Sequence, residues 1–144
     1  MPPKADDDAG YLESAARIIF MGGLNRQVVD SKWPGFRAAF HGFDIERVAA
    51  MDEADIDRLA ADDRVIKYRA KLKAVVDNAG EMQALADEHG SFGRFVDALV
   101  EDGLDGATKD LAKRFAYISR DGARNLLYST GYDVGEVSDN IAMK

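Results

Sequence analysis

Two stripes of apolar residues at helical spacing, separated by a short polar turn, constrain the fold of this chain most strongly. Within residues 53–78, apolar side chains recur three or four positions apart on both sides of the turn, which is typical of α-helices with one buried face. The stripes consist of Ile56, Leu59 and Ala60, then Leu72, Val75, Val76 and Ala79. The turn, residues 62–66, has the sequence DDRVI. We predict two helices that fold back on each other as a hairpin.

Basic side chains are concentrated in the second arm of this predicted hairpin. Ten consecutive residues contain five bases and no acid, namely Arg64, Lys67, Arg69, Lys71 and Lys73. Because the whole chain has a net charge of −7, this is a local reversal of sign. A helical hairpin with a basic arm can hold a phosphate backbone. The alternative is a solvated helix face that pairs with nearby acids, and the turn acids Asp62 and Asp63 would oppose phosphate.

The composition bounds the remaining possibilities. With 144 residues, 47% of them hydrophobic, the chain can bury one core. It has no cysteine and two histidines, so disulfides and thiolate chemistry are excluded, and we expect no metal and no cofactor. No apolar run approaches the roughly 20 residues that cross a bilayer, and the first ten residues lack a secretory signal. We therefore expect no membrane partner and a cytoplasmic location.

Helical patterns extend along most of the chain, and no stretch alternates in polarity as a strand does. We predict an all-α fold, a compact multi-helix domain of seven to nine short helices. This domain would comprise residues 11–131. An acidic flexible tail, residues 1–10, would precede it, and an irregular tail, residues 132–144, would follow it.

Local signals predict where the helices begin and end. Side chains that can cap a helix N-terminus occur at Asn25, Asp44, Asp52, Ser91 and Ser119. We expect a new helix to start at Pro34, because proline favours the first turn. Gly80 is expected to weaken or kink the long second arm of the hairpin. A Gly- and Asp-rich segment, residues 101–108, is predicted to be a loop.

Short motifs through residues 11–79 carry a resemblance to a known family. They are Gly23-Leu24-Asn25, Phe36-Arg37-Ala38-Ala39-Phe40, Phe43-Asp44, Val48-Ala49-Ala50-Met51, residues 55–59, the hairpin residues 65–72, and Asn78-Ala79. With weaker echoes at residues 92–99 and 111–131, the chain resembles the 3-methyladenine DNA glycosylase I family of the helix-hairpin-helix DNA glycosylase superfamily. The resemblance implies the compact helical fold of that superfamily.

The resemblance also implies a function in base excision repair. The protein would hydrolyse the N-glycosidic bond of an alkylated purine in double-stranded DNA, as a monomer. Such an enzyme extrudes the base and holds it between aromatic or apolar walls. Candidates for this base pocket are Tyr11, Ile18, Arg26, Trp33 and Tyr68. The residues that would grip DNA phosphates are Arg64, Lys67, Arg69 and Lys71.

The chain departs from the family pattern at two positions of the base pocket. Ile18 stands where the family has a glutamate that contacts the damaged base, and Arg26 stands where it has a stacking tryptophan. The terminal cysteine and histidine ligands of the family's structural zinc are also absent, which indicates a short, zinc-less member. Glu13 could serve as the catalytic carboxylate, or it could be a solvated acid paired with Arg17 one helical turn away.

Three hypotheses about function therefore remain open. The first is a DNA glycosylase. The second is a module that keeps the fold, binds DNA or a protein partner, and excises nothing, which the departures at Ile18 and Arg26 favour. The third is an acidic helical protein whose partner is not nucleic acid. For the aromatic base-pocket candidates the alternative is packing in the core, because an aromatic residue at helical spacing is more often buried than a platform on which a base stacks.

Overall fold

A computed structural model of the protein describes residues 7–135. The α-helices of this part are α1 (Asp8–Met21), α2 (Arg26–Ala39), α3 (Ile45–Ala49), α4 (Glu53–Ala60), α5 (Arg69–His89), α6 (Phe92–Glu101), α7 (Leu104–Arg114) and α8 (Arg120–Ser129). A 3-10 turn, His41–Phe43, lies between α2 and α3. The described residues contain no strand, and the predicted all-α fold is confirmed. None of these helices is long and apolar enough to cross a membrane.

Helix α5 lies at the centre of the fold and contacts α1, α3, α4 and α6. Its inner face consists of Leu72, Val75, Ala79 and Met82, and each of these side chains is fully buried. Their spacing of three, four and three residues keeps them on one side of a helix with 3.6 residues per turn. The apolar stripe found in the sequence is therefore part of the helix against which four of the other helices pack.

The predicted kink at Gly80 is wrong, because α5 continues from Arg69 to His89 through this residue. Gly80 is exposed and has no neighbouring atom within 4 Å of a hypothetical Cβ. The nearby residues Ala79 and Met82 are buried in the core. Their burial outweighs the helix-propensity cost of one glycine, about 1 kcal/mol.

The predicted new helix at Pro34 is also wrong, because α2 continues through the proline. The helix begins after Asn25, whose side chain accepts hydrogen bonds from the amides of Gln27 and Val28. Trp33 and Phe36, on either side of the proline, stack with ring centroids 4.9 Å apart and are buried. Burial of these rings compensates for the backbone hydrogen bond that a proline inside a helix removes.

The ends of the helical region differ from the predicted tails. The side chain of Asp7 caps α1, which begins at Asp8 rather than at residue 11. At the other end, Tyr132 and Val134 are buried in the core although they follow the last helix. Residues 1–6 and 136–144 of the two predicted tails lie outside the described part. The predicted loop at residues 101–108 is shorter than expected, because α7 starts at Leu104.

Every predicted N-cap side chain accepts a hydrogen bond from an amide in the first turn of its helix. These caps are Asn25, Asp44, Asp52, Ser91 and Ser119. At Asp52 the arrangement is reciprocal, because the side chain of Asp55 also accepts a hydrogen bond from the Asp52 amide. These predictions are confirmed, since capping depends on a few consecutive residues and little on the rest of the fold.

Helix α2 and the turn after α4 are in close contact at Gly35. A Cβ placed on Gly35 would overlap the carbonyl oxygen of Arg64 and lie 3.0 Å from its carbonyl carbon. Both neighbouring atoms belong to the backbone, so neither can move without shifting the turn. Glycine at position 35 therefore determines how closely α2 approaches the α4–α5 turn.

We predict that Gly35→Ala lowers the free energy of unfolding by about 1–3 kcal/mol, the usual cost of overpacking. Gly80→Ala is the matched control, because it makes the same change in an exposed helix position and should raise stability by about 0.4–1 kcal/mol. Urea unfolding followed by circular dichroism measures both. Equal effects of the two substitutions would contradict the close approach at Gly35.

Candidate nucleic-acid interface

The predicted hairpin is present as α4 and α5, which pack against each other and are joined by residues 61–68. Its turn is closed by backbone hydrogen bonds, among them Val65 N–H to the carbonyl of Asp62 at 3.3 Å. Val65 is buried beneath the turn. The turn of the hairpin is thus well ordered. Whether the hairpin can bind phosphate depends on the charges that it exposes.

The basic side chains of the turn are paired with its acids. Arg64 donates to both carboxylate oxygens of Asp62, at 2.7 Å and 3.1 Å. Lys67 lies 2.5 Å from a carboxylate oxygen of Asp63. Hydrogen bonds from these two cations lower the pKa of both carboxyl groups. The two acids are therefore ionised at neutral pH, and they offset the positive charge that the sequence places here.

Arg69, the first residue of α5, pairs with acids of α4. Its guanidinium donates to Glu53 at 2.6 Å and to Asp57 at 3.0 Å. The side chain thereby ties the two arms of the hairpin together. Between residues 52 and 73 the chain has equal numbers of acidic and basic side chains. Because α4 brings its acids beside the basic arm, the hairpin has no net positive charge.

The prediction that Lys71 grips a DNA phosphate is corrected, because its side chain is not on the surface. It is 6% exposed, and its amino group donates to the carbonyl oxygens of Ile19 at 2.8 Å and Gly22 at 2.6 Å. These carbonyls belong to the last turn and the C-cap of α1, where unpaired acceptors favour a cation. Burial lowers the pKa of the amine. Lys71 is therefore a structural link between α5 and α1.

Arg64, Lys67 and Arg69 remain exposed, and their predicted contact with DNA stays a prediction. Exposed ion pairs contribute little to stability because water screens them, so a phosphate could replace the carboxylate partners. Such an exchange would leave Asp62 and Asp63 unpaired beside the DNA. The α4–α5 hairpin could therefore contact a phosphate at short range, but without net positive charge it would not attract DNA from a distance.

Two of the residues predicted to line a base pocket belong to the core. Tyr11 is 2% exposed, and its hydroxyl lies 2.7 Å from that of Tyr132. Trp33 is 3% exposed and stacks against Phe36 and Phe43. Neither ring has a face open to a flipped base. The prediction for Tyr11 and Trp33 is corrected accordingly, and the core alternative holds for both.

The other three pocket candidates are grouped around the connection between α1 and α2. Ile18, in the last turns of α1, is half-buried, and its Cγ2 lies 3.4 Å from where a Cβ on Gly122 of α8 would be. Arg26 is exposed at the start of α2. Tyr68 is 46% exposed, with the Lys71 amine 5.4 Å from its ring centroid, beside the end of α1. Their roles toward a base stay predictions.

The carboxylate of Glu13 is engaged by α2. Its Oε2 accepts a hydrogen bond from Trp33 Nε1 at 2.8 Å and another from Arg37 Nε. The predicted alternative partner was wrong, because Arg17 pairs with Asp30 and lies over the Trp33 ring. Glu13 therefore joins α1 to α2, which favours the structural alternative for this residue. Its proposed catalytic role stays a prediction.

The structure contains a second helical hairpin, formed by α7, residues 115–119 and α8, whose helices pack against each other. Within residues 104–129 it has five bases and three acids: Lys109, Lys113, Arg114, Arg120 and Arg124 against Asp105, Asp110 and Asp121. The five bases of this hairpin are spread over more residues than those of the run at 64–73, so they do not stand out in the sequence. A count that included flanking acids would have ranked the α7–α8 hairpin above the α4–α5 hairpin.

The ion pairs of the α7–α8 hairpin leave part of its positive charge free. Asp105 is shared, since Lys109 lies 3.3 Å and Arg120 2.6 Å from its carboxylate oxygens. Lys113 forms no ion pair with any residue between 7 and 135. A cleft of about 480 Å³ opens between the two helices. Its lining residues are Leu104, Asp105, Thr108, Arg120, Asp121 and Arg124.

The turn of the α7–α8 hairpin is held by a buried side chain of α5. Asn78 is 1% exposed, accepts a hydrogen bond from the Ala116 amide at 2.8 Å, and donates to the Ala116 carbonyl at 3.1 Å. The next residue, Tyr117, has a positive φ of 61° and is 55% exposed. Ser119 then caps α8 by accepting from the Gly122 amide. The turn is thus fixed in position, with its tip facing solvent.

Within residues 7–135 no group of three or more His, Cys, Asp or Glu side chains is arranged to hold a metal ion. The charged groups of both hairpins are arginines, lysines and the carboxylates that pair with them. The arginines and lysines among them can bind a phosphate backbone directly.

Comparisons with known proteins place this geometry in context. The model of the methyladenine glycosylase family matches residues 3–121. DNA-3-methyladenine glycosylase 1 of Escherichia coli strain K12 is 35% identical over 82 residues, which are 51% of this chain and 44% of that protein. DNA-3-methyladenine glycosylase of Haemophilus influenzae is 36% identical over 74 residues, 51% of this chain and 40% of that protein. The chain thus spans less than half the length of these relatives.

A solved structure agrees with the helical architecture. 3-Methyladenine DNA glycosylase I from Staphylococcus aureus superimposes with a TM-score of 0.78 and 24% sequence identity. The superposition covers 94% of this chain and 82% of that one. At this level of identity the likeness concerns the fold, and the fold implied by the sequence motifs is confirmed.

We predict that Lys71→Met lowers the free energy of unfolding by about 1–3 kcal/mol, because two carbonyls at the end of α1 lose their donor. Lys67→Met is the control, since it removes the same charge from an exposed residue of the neighbouring turn and should change stability by less than about 0.5 kcal/mol. Thermal and urea unfolding measure both variants. If Lys71→Met is as stable as Lys67→Met and only DNA affinity falls, the structural assignment of Lys71 is wrong.

Proposed function

Because the chain belongs to the methyladenine glycosylase family, we propose that it removes alkylated purines from DNA by hydrolysing the N-glycosidic bond. The observation that carries this proposal is the family match over residues 3–121, which the similarity of fold supports. The names of the relatives point to 3-methyladenine as the first base to test.

The proposed reaction needs little acid catalysis, because an alkylated purine already carries positive charge. The bond between C1′ of the sugar and the purine nitrogen breaks, and the base departs as a neutral molecule. Water then forms the new bond to C1′ and releases a proton to solvent. The protein has to extrude the nucleotide and stabilise the oxocarbenium-like sugar. Without a carboxylate at Ile18, that stabilisation would come from the surrounding phosphates or from Glu13.

We propose further that DNA lies against the α7–α8 hairpin. This hairpin has an excess of bases, a Lys113 that forms no ion pair among residues 7–135, and a turn fixed by Asn78. The first-turn amides of α8 add partial positive charge near Arg120. The α4–α5 hairpin would provide secondary contacts through Arg64 and Arg69.

A second candidate function is binding of DNA, or of a protein partner, without base excision. The engagement of Glu13 by Trp33 and Arg37 favours this candidate, because the one carboxylate proposed for catalysis already accepts two hydrogen bonds. The apolar side chain at Ile18 favours it too. Binding alone would give salt-sensitive DNA affinity with no release of base.

Release of free 3-methyladenine from alkylated duplex DNA by the purified protein tests the proposal. We expect release above the buffer background, and we expect Glu13→Gln to keep the rate within about tenfold, since loss of a true acid–base group costs about 10²- to 10⁴-fold. Ser14→Ala, on the same helix, is the control variant, and its rate of base release should equal that of the wild type. No release at high protein concentration and low salt would overturn the glycosylase proposal, and a collapse of the rate in a folded Glu13→Gln variant would make Glu13 catalytic.

If DNA lies against the α7–α8 hairpin, removing positive charge there should weaken duplex binding more than removing it from the α4–α5 hairpin. Replacing Lys113 and Arg120 with glutamine should lower duplex affinity and reduce the slope of log affinity against log salt by about 2, one for each lost phosphate contact. The control variant replaces Arg64 and Lys67 with glutamine, so both proteins lose the same net charge. Fluorescence anisotropy with a labelled duplex over a salt series measures the slopes. A larger loss in the control variant would assign the DNA contact to the α4–α5 hairpin.

A further inference from the structure

Tyr117, at the tip of the α7–α8 hairpin, is the most exposed large hydrophobic side chain among residues 7–135, with 55% of its surface accessible. In this part of the chain its ring forms no aromatic pair and its hydroxyl no hydrogen bond. By contrast, Tyr11 and Tyr132 are buried and hydrogen-bonded to each other. Tyr117 therefore contributes nothing visible to the core.

The backbone at Tyr117 is in an unfavourable conformation for this residue. Its φ of 61° lies in the left-handed region, which glycine adopts freely and which a bulky side chain adopts only at a cost. Residues held in such conformations cluster at functional sites, where the surrounding structure enforces them. Here Asn78 enforces the turn through its two hydrogen bonds to Ala116. An aromatic side chain thus occupies a position where glycine would be unstrained.

Cationic side chains lie on both sides of this ring in the sequence. Lys113 and Arg114 are in the last turn of α7, and Arg120 is the first residue of α8. An aromatic ring flanked by cations suits nucleic acid, because the cations follow the phosphates while the ring stacks on a base. A flipped nucleotide leaves unstacked base faces in the duplex, and such faces accept an aromatic ring.

We propose that Tyr117 stacks on a nucleobase that is exposed when the target nucleotide is extruded. The proposal rests on the proposed function and adds a residue-specific contact to it. The ring, rather than the hydroxyl, makes the contact. The rigid turn holds the ring outward before DNA arrives, so little ordering is needed when the complex forms.

Three substitutions test the proposal, each assayed for affinity toward a duplex with an abasic-site analogue and for unfolding by urea. Tyr117→Gly should bind about 5- to 100-fold more weakly, in line with the loss of one base–aromatic stack. It should be at least as stable as the wild type, because glycine relieves the positive φ. Tyr117→Phe should bind like the wild type. Val28→Ala, which truncates an exposed apolar side chain of α2, is the control and should leave affinity within about twofold.

The outcomes are distinguishable from failure of the proposed function. If the wild type binds and excises but Tyr117→Gly matches it, the stacking proposal is wrong and the function stands. If Tyr117→Phe loses as much affinity as Tyr117→Gly, the hydroxyl makes the contact and stacking is again wrong. If the wild type neither binds nor excises, both proposals are overturned together. A loss of affinity in Tyr117→Gly that accompanies unfolding is checked by Tyr117→Ala, which must show the same weak binding while folded.

Discussion

The burial of one face of α5 is the constraint on which the rest of the structure depends. Four helices pack against α5, and two polar side chains of α5 form hydrogen bonds to segments outside the apolar core. Lys71 donates to the last carbonyls of α1, and Asn78 holds the turn between α7 and α8 through Ala116. Helix α5 therefore fixes the positions of the α4–α5 turn and the α7–α8 turn relative to the end of α1. Because each of these polar groups is buried and hydrogen-bonded, its loss would cost more than that of an exposed contact.

The distribution of charge decides how an acidic protein can approach DNA. With a net charge of −7, most of the surface repels phosphate, and attraction has to come from a local excess of bases. The α4–α5 hairpin does not supply that excess, because the acids of α4 lie beside Arg69 and the turn acids hold Arg64 and Lys67. The α7–α8 hairpin has a small excess, five bases against three acids in residues 104–129, and among residues 7–135 its Lys113 forms no ion pair although Lys109, Arg114 and Arg120 do. If the proposed DNA binding occurs, such an arrangement would limit non-specific binding, since the repulsive remainder of the surface would restrict the orientations in which DNA docks.

The sequence predicted those features that depend on neighbouring residues. The caps and the all-α fold follow from short patterns, and the stripe on α5 follows from its period. The predictions of a helix start at Pro34 and a kink at Gly80 were wrong, because packing of residues distant in the sequence outweighs the local tendency of proline and glycine to break a helix. Lys71 could have been placed in the interior, since it lies four residues before Val75 and seven before Asn78 on the buried face. The engagement of Glu13 and the pairing of Arg69 depend on which helices meet, which no local pattern of residues encodes.

Mapping of DNA contacts onto the backbone amides tests the central claim, that the α7–α8 hairpin is the DNA-facing element, most directly. In two-dimensional ¹H–¹⁵N spectra, titration with a short duplex should shift the amides from Lys113 to Asp121 first and most strongly. Amides of the turn at residues 61–68 should move less. Shifts confined to that turn and to the start of α5, with residues 113–121 unchanged, would contradict the account.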